Sequence, residues 1–97
     1  MRYLTLKTDY NNFLKDDFNS DFTFDELEIP NSLLNEITLW YEEYRPYILM
    51  DSNERRLKYA EIDKLDLKGK KLASAISKSI KEDVKIRYYS EGRLKYL

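Results

Sequence analysis

The chemistry open to this chain is narrowed first by the side chains it lacks. It contains no histidine and no cysteine, so it has neither the group best suited to proton transfer near neutrality nor a thiolate nucleophile or metal ligand. A Gly-rich phosphate loop, a nucleophile elbow and a zincin helix are absent as well. Carboxylate chemistry is what remains. Asp83-Val84-Lys85 has the spacing of the acidic-x-Lys half of a metal-dependent nuclease site, in which the carboxylate holds Mg²⁺ and the lysine steadies developing negative charge. No matching upstream carboxylate motif accompanies it, and a helix exit followed by a strand with a solvated lysine explains the same residues. The sequence therefore points to no catalytic residue, no metal site and no cofactor, and to a protein that works by binding.

Two segments have the composition for binding. In residues 16–28, Asp16, Asp17, Asp21, Asp25, Glu26 and Glu28 are interleaved with Phe18, Phe22 and Phe24, and carboxylates around apolar anchors suit recognition of a basic protein surface. The candidates for partner contact are those six carboxylates with Phe18 and Phe22 as anchors; the competing use of the phenylalanines is core packing. Further on, Lys85, Arg87, Arg93 and Lys95 are interspersed with Tyr88, Tyr89 and Tyr96, a pattern that neutralises phosphate and stacks bases in nucleic-acid binders. A net charge of −1 and an isoelectric point near 5.5 weigh against that use, because dedicated phosphate binders carry a clear positive excess.

The charge is unevenly spread. Residues 1–30 hold three basic and seven acidic side chains, residues 31–60 four and five, and residues 61–97 ten and six, so the net runs from −4 through −1 to +4. Folding decides whether this becomes two surface poles or cancels. With 97 residues, 42% of them hydrophobic and only two Gly and two Pro, a single domain over residues 1–97 with one core is expected. No run of apolar residues approaches a bilayer span and no signal-peptide pattern is present, which suggests a cytoplasmic protein with no membrane partner.

The elements that must position these residues follow from periodicity. Residues 1–8 alternate as a strand with Leu4 and Leu6 on one face and Tyr3, Thr5 and Lys7 on the other. Residues 9–28 fit no single period and read as an irregular connection. Asn31 or Ser32 can cap a helix whose apolar stripe is Leu33, Ile37, Trp40, Tyr41, Tyr44 and Ile48, with Pro46 ending or kinking it near Tyr44. Residues 46–60 form a connection with a short helical turn at 53–59. A second helix over 62–81 turns Leu65, Gly69, Leu72, Ala73, Ile76 and Ile80 inward. A glycine on that stripe implies that another backbone or the Trp40 indole packs closely there. Val84-Lys85-Ile86-Arg87-Tyr88-Tyr89, the turn Ser90-Glu91-Gly92-Arg93 with Gly92 able to take positive φ, and Leu94 to Leu97 form a hairpin. The fold class is α+β, a small antiparallel sheet of about three strands including this hairpin, packed against two amphipathic helices.

Four of these stretches carry a resemblance: Ile29-Pro30-Asn31-Ser32-Leu33, Leu39-Trp40-Tyr41-Glu42-Glu43-Tyr44, Leu65-Asp66-Leu67-Lys68-Gly69-Lys70-Lys71-Leu72-Ala73 and Lys85-Ile86-Arg87-Tyr88-Tyr89. Over roughly residues 27–97 the chain resembles a family of small bacterial proteins found among the immunity proteins of polymorphic toxin and contact-dependent growth inhibition systems. The resemblance implies a stoichiometric inhibitor that binds a cognate toxin domain in the cytoplasm of the producing cell. It transfers no inhibitory residue, and the acidic candidates lie outside the matched motifs. For them the expectation rests on charge, since an acidic inhibitor can occupy the basic cleft of a nuclease toxin. The alternative is a small nucleic-acid-binding or regulatory protein that uses the basic, tyrosine-rich hairpin. Oligomeric state is not legible.

Overall fold

The computed structural model describes residues 2–8 and 13–97, with Glu26 described in its backbone alone. Strands β1 (Arg2–Leu6) and β2 (Leu14–Asp16) are followed by a 3-10 turn at Phe24–Glu26, helices α1 (Asn31–Ile48), α2 (Ser52–Leu57) and α3 (Tyr59–Ser79), and strands β3 (Val84–Ser90) and β4 (Lys95–Tyr96). The class is α+β as expected, but the sheet has four strands in the order β2-β1-β3-β4. It is mixed rather than antiparallel. β1 runs antiparallel to β2 and parallel to β3, with Leu4 opposite Ile86 and Leu6 opposite Tyr88. The chain reaches β3 through helices packed on one face, and such a crossover returns a strand in the same direction. β2 is three residues long, too short for its alternation to stand out from the polar stretch around it.

The helices are built differently from their sequence reading at their ends. Among the described residues no side chain caps α1: Pro30 precedes it, with its carbonyl accepting from the amides of Leu33 and Leu34. Pro46 does not end α1, which continues through it to Ile48. The last turn is held instead by Arg55 of α2, whose guanidinium donates to the carbonyls of Tyr47 at 3.0 Å, Ile48 at 2.7 Å and Glu91 at 3.1 Å. A cation on the carbonyl end of a helix satisfies acceptors that have no partner within it. α2 has its own cap, Asp51 Oδ1 accepting from the amide of Glu54 at 2.9 Å.

The core lies between the helices and the sheet face carrying Leu4, Leu6, Leu14 and Tyr88, against Ile37, Trp40 and Tyr44 of α1 and Ile62, Leu72 and Ile76 of α3. The indole of Trp40 donates to the carbonyl of Leu65 at 2.9 Å, fixing α1 to α3. The close approach expected at Gly69 is made by the phenol of Tyr88, not by Trp40: a Cβ on Gly69 would overlap the Tyr88 ring. Trp40 instead packs on that same ring, centroids 5.9 Å apart. In the turn before β4 the positive φ belongs to Leu94 (56°), not to Gly92. Gly92 is there for space, because a Cβ would meet Ile62 and stand 2.7 Å from the Tyr44 hydroxyl. Among the described residues no helix is long and apolar enough to cross a membrane.

Candidate functional site

The second face of the sheet is the candidate surface, and strand alternation determines what it shows. With Leu4 and Leu6 turned to the core, β1 presents Tyr3 and Thr5 outward, and the parallel register sets Lys85 beside Tyr3 and Arg87 beside Thr5. A row of contacts then runs from Asp17, just past β2, across β1, β3 and β4. Asp17 Oδ1 accepts from the Thr5 hydroxyl at 2.6 Å, Asp17 Oδ2 accepts from Arg87 Nη2 at 3.0 Å, and the Arg87 guanidinium lies 4.3 Å from the centre of the Tyr96 ring. Tyr96 meets Tyr89 edge to face at 5.1 Å. Beside this row, Phe18 stands edge-on to Tyr3 at 5.8 Å, and the two rings border an open hollow of about 640 Å³ with Asp17, Lys85 and Arg87.

The eight acidic-segment candidates separate on this frame. Asp16, at the end of β2, accepts from the amide of Phe18 at 2.9 Å, and the amide of Asp21 donates to Asn19 Oδ1 at 3.1 Å, so a local turn holds this loop in shape. Phe18 projects from that turn 83% exposed. Asp17, with a side chain 19% exposed, is committed to Thr5 and Arg87. Asp21 and Asp25 are exposed. The Glu26 side chain lies outside the described residues. Phe22 is corrected from anchor to core: it is 2% exposed, with the Arg2 guanidinium 5.2 Å from its ring centre. Glu28 is exposed but borders a separate cleft of about 330 Å³ with Lys81 and Glu82. The structure thus gathers Asp16, Asp17, Phe18 and Asp21 at the β2 edge and does not join Phe22 or Glu28 to them.

The basic hairpin is also altered by folding. Arg87 is clasped as described. Arg93 donates from Nε and Nη2 to the two oxygens of Asp63 at 3.0 and 2.8 Å and lies 3.8 Å above the Tyr59 ring; the Asp63 hydrogen bonds hold its guanidinium above its ordinary pKa. Tyr88 is buried. Of the residues named for phosphate and base contact, Lys85 and Lys95 are the exposed cations without an ion pair among the described residues.

One polar centre was not singled out from the sequence. Asp66, on α3, is 2% exposed. Its Oδ1 accepts from the hydroxyls of Tyr44 at 2.8 Å and Tyr88 at 2.7 Å, and its Oδ2 from Ser90 at 2.7 Å. The Tyr44 oxygen accepts in turn from the amide of Gly92 at 2.8 Å, and the Ser90 oxygen from that of Arg93 at 3.0 Å. Burial pushes the Tyr44 phenol up to about 12 and the Tyr88 phenol well above its ordinary value, the latter reinforced by its hydrogen bond to Asp66. Both phenols therefore remain protonated donors, and the cluster ties α1, α3, β3 and the following turn together. Its signal in the sequence was an aspartate at helical spacing with Ile62, Gly69 and Ala73, on the buried face of α3.

The Asp83-Val84-Lys85 pair does not assemble further. Asp83 and Lys85 are exposed, the Asp83 carbonyl accepts from the amide of Arg2 at 3.0 Å, and among the described residues no three potential metal-ligating side chains converge. Compared with family models, with curated proteins and with solved structures, the chain finds no match.

Proposed function

We propose that this chain is an immunity-type inhibitor, which binds a cognate toxin domain in the cytoplasm of the producing cell and blocks it by occupying its working cleft. The observation that carries this reading is Phe18, a large aromatic side chain held 83% exposed on a hydrogen-bonded turn beside Asp16 and Asp21. An apolar anchor with a carboxylate rim is the composition that docks into a basic cleft, where the anchor supplies affinity and the charges supply encounter rate and exclusion of polyanions. The partner class that fits is a toxin with a positively charged substrate channel, such as a nuclease. The resemblance of residues 27–97 to immunity proteins supports the same assignment.

The test is titration calorimetry against the toxin domain encoded beside this chain's gene, with the natural sequence and with Phe18→Ala and Asp16→Lys/Asp21→Lys/Asp25→Lys variants. We expect each variant to weaken binding by at least about tenfold while the thermal midpoint stays nearly unchanged. Unchanged affinity in both would remove this surface from the interface. A neighbouring toxin domain that fails to bind the natural chain would remove the immunity reading altogether.

A further inference from the structure

Among the described residues, one edge of the sheet is paired over only part of its length. β4 pairs only with Tyr89 and Ser90 of β3, and the amide of Leu97 donates to the carbonyl of Tyr88 at 3.0 Å. Earlier in β3 that side is unpaired among the described residues. The amide of Arg2 donates to the carbonyl of Asp83 at 3.0 Å, so Asp83 faces β1, and the alternation of a strand turns the N–H and C=O groups of Val84 and Ile86 the other way. Among the described residues nothing pairs with them there.

Alongside this edge runs a groove of about 490 Å³ between β3 and α3. Its walls carry Lys70 and Lys78 from α3 and Lys85 and Arg87 from β3, with Ala73 and Tyr88 beneath, and among the described residues no carboxylate side chain lines it. Arg87 is already paired with Asp17, so the three lysines set the sign of the groove. A lysine on an exposed strand is a common guard against edge-to-edge aggregation, and Lys85 alone fits that role. Lys70 and Lys78 do not, because they project from the helix across the groove rather than from the strand.

We propose that this edge and groove dock an extended acidic segment of a partner protein, which adds to β3 as a strand. The open ladder groups of Val84 and Ile86 select an extended peptide, since backbone pairing supplies affinity without regard to sequence. The lysines select acidic side chains among such peptides. This surface is distinct from the β2 edge and does not depend on the inhibitor reading.

The experiment titrates isotopically labelled protein, followed by amide NMR, with a short end-capped peptide alternating Glu and Val. Three other probes accompany it: the same peptide N-methylated on its pairing edge, a Lys-Val counterpart, and a short oligouridine. The expected result is that the Glu-Val peptide shifts and protects the amides of Val84 and Ile86, that N-methylation weakens binding about tenfold or more, and that Lys70→Glu/Lys78→Glu/Lys85→Glu does the same. The N-methylated peptide decides the matter on the natural protein if the triple variant does not fold. Equal binding of the N-methylated or Lys-Val peptide would overturn the proposal. So would preferential binding of oligouridine at the same amides, self-association of the chain through this edge, or no shift at millimolar peptide.

Discussion

Asp17 and Arg87, seventy positions apart in the chain, meet at 3.0 Å on the outer face of the sheet, with the Thr5 hydroxyl on the other carboxylate oxygen. The contact joins the acidic first third to the basic last third and neutralises one charge of each. Arg87 remains 56% exposed, so water and salt screen the pair. A double-mutant cycle on Asp17→Ala and Arg87→Ala should return a coupling of about 1 kcal/mol or less, falling with added salt. A coupling of several kcal/mol would mean that the row is a rigid strut.

The buried carboxylate is a different case. Asp66→Ala leaves the hydroxyls of Tyr44, Tyr88 and Ser90 without their acceptor in a closed space, and unsatisfied buried donors cost about 1–3 kcal/mol each before relaxation. Urea unfolding should show a loss of about 3 kcal/mol or more. Asp66→Asn, which keeps one carbonyl oxygen, should lose less.

Alkaline pH should reach this same cluster. The Tyr44 phenol is raised from 10.0 to about 12 and Tyr88 is raised further in the same direction. Above pH 10 the unfolded chain releases these protons while the folded chain keeps them, so the unfolded state binds fewer and stability falls as pH rises. The slope should approach about 1.4 kcal/mol per pH unit for each such tyrosine. Tyrosinate absorbance should show two phenols that ionise only together with loss of the circular dichroism signal, and Tyr44→Phe should remove one.

Gly69→Ala would stabilise an ordinary helix by about 1 kcal/mol. Here the new methyl group meets the Tyr88 ring, which is held by Trp40 and Asp66 and has little room to move. A net destabilisation of about 1–3 kcal/mol is expected, measurable as a lower denaturation midpoint with an unchanged denaturant slope.

Arg55→Ala should loosen the end of α1. Three carbonyls lose a charged donor, a change worth about 2–3 kcal/mol. Hydrogen exchange should quicken in the last turn of α1, with the middle of the helix little affected.

Much of this architecture was legible because apolar spacing records which face a residue turns. The stripe on α1, the inward pair Leu4 and Leu6, and the need for a close neighbour at Gly69 all follow from side-chain period and size. What spacing does not record is partnership across the chain. The parallel direction of β3 relative to β1 depends on where the helices lie, β2 is too brief to alternate visibly, and the extension of α1 past Pro46 depends on Arg55 arriving from α2. The acidic candidates divide for the same reason. Phe18 and Phe22 are equivalent as letters, yet one projects from the Asp16 turn and the other closes the core beneath Arg2.

The placement of β1 between β2 and β3 has a consequence for how the molecule is made. Its parallel partner, beginning with Arg2 opposite Val84, is synthesised only after the residues of every helix. The nascent chain can form helices early but has no completed sheet until then, and closing so long a loop is a slow step relative to local folding. A chain interrupted before Val84 would keep its helical segments but leave Leu4 and Leu6 without the strand that pairs beside them. The outer sheet face that carries Asp17 and Arg87 should then form abruptly, once β3 is made, rather than by degrees.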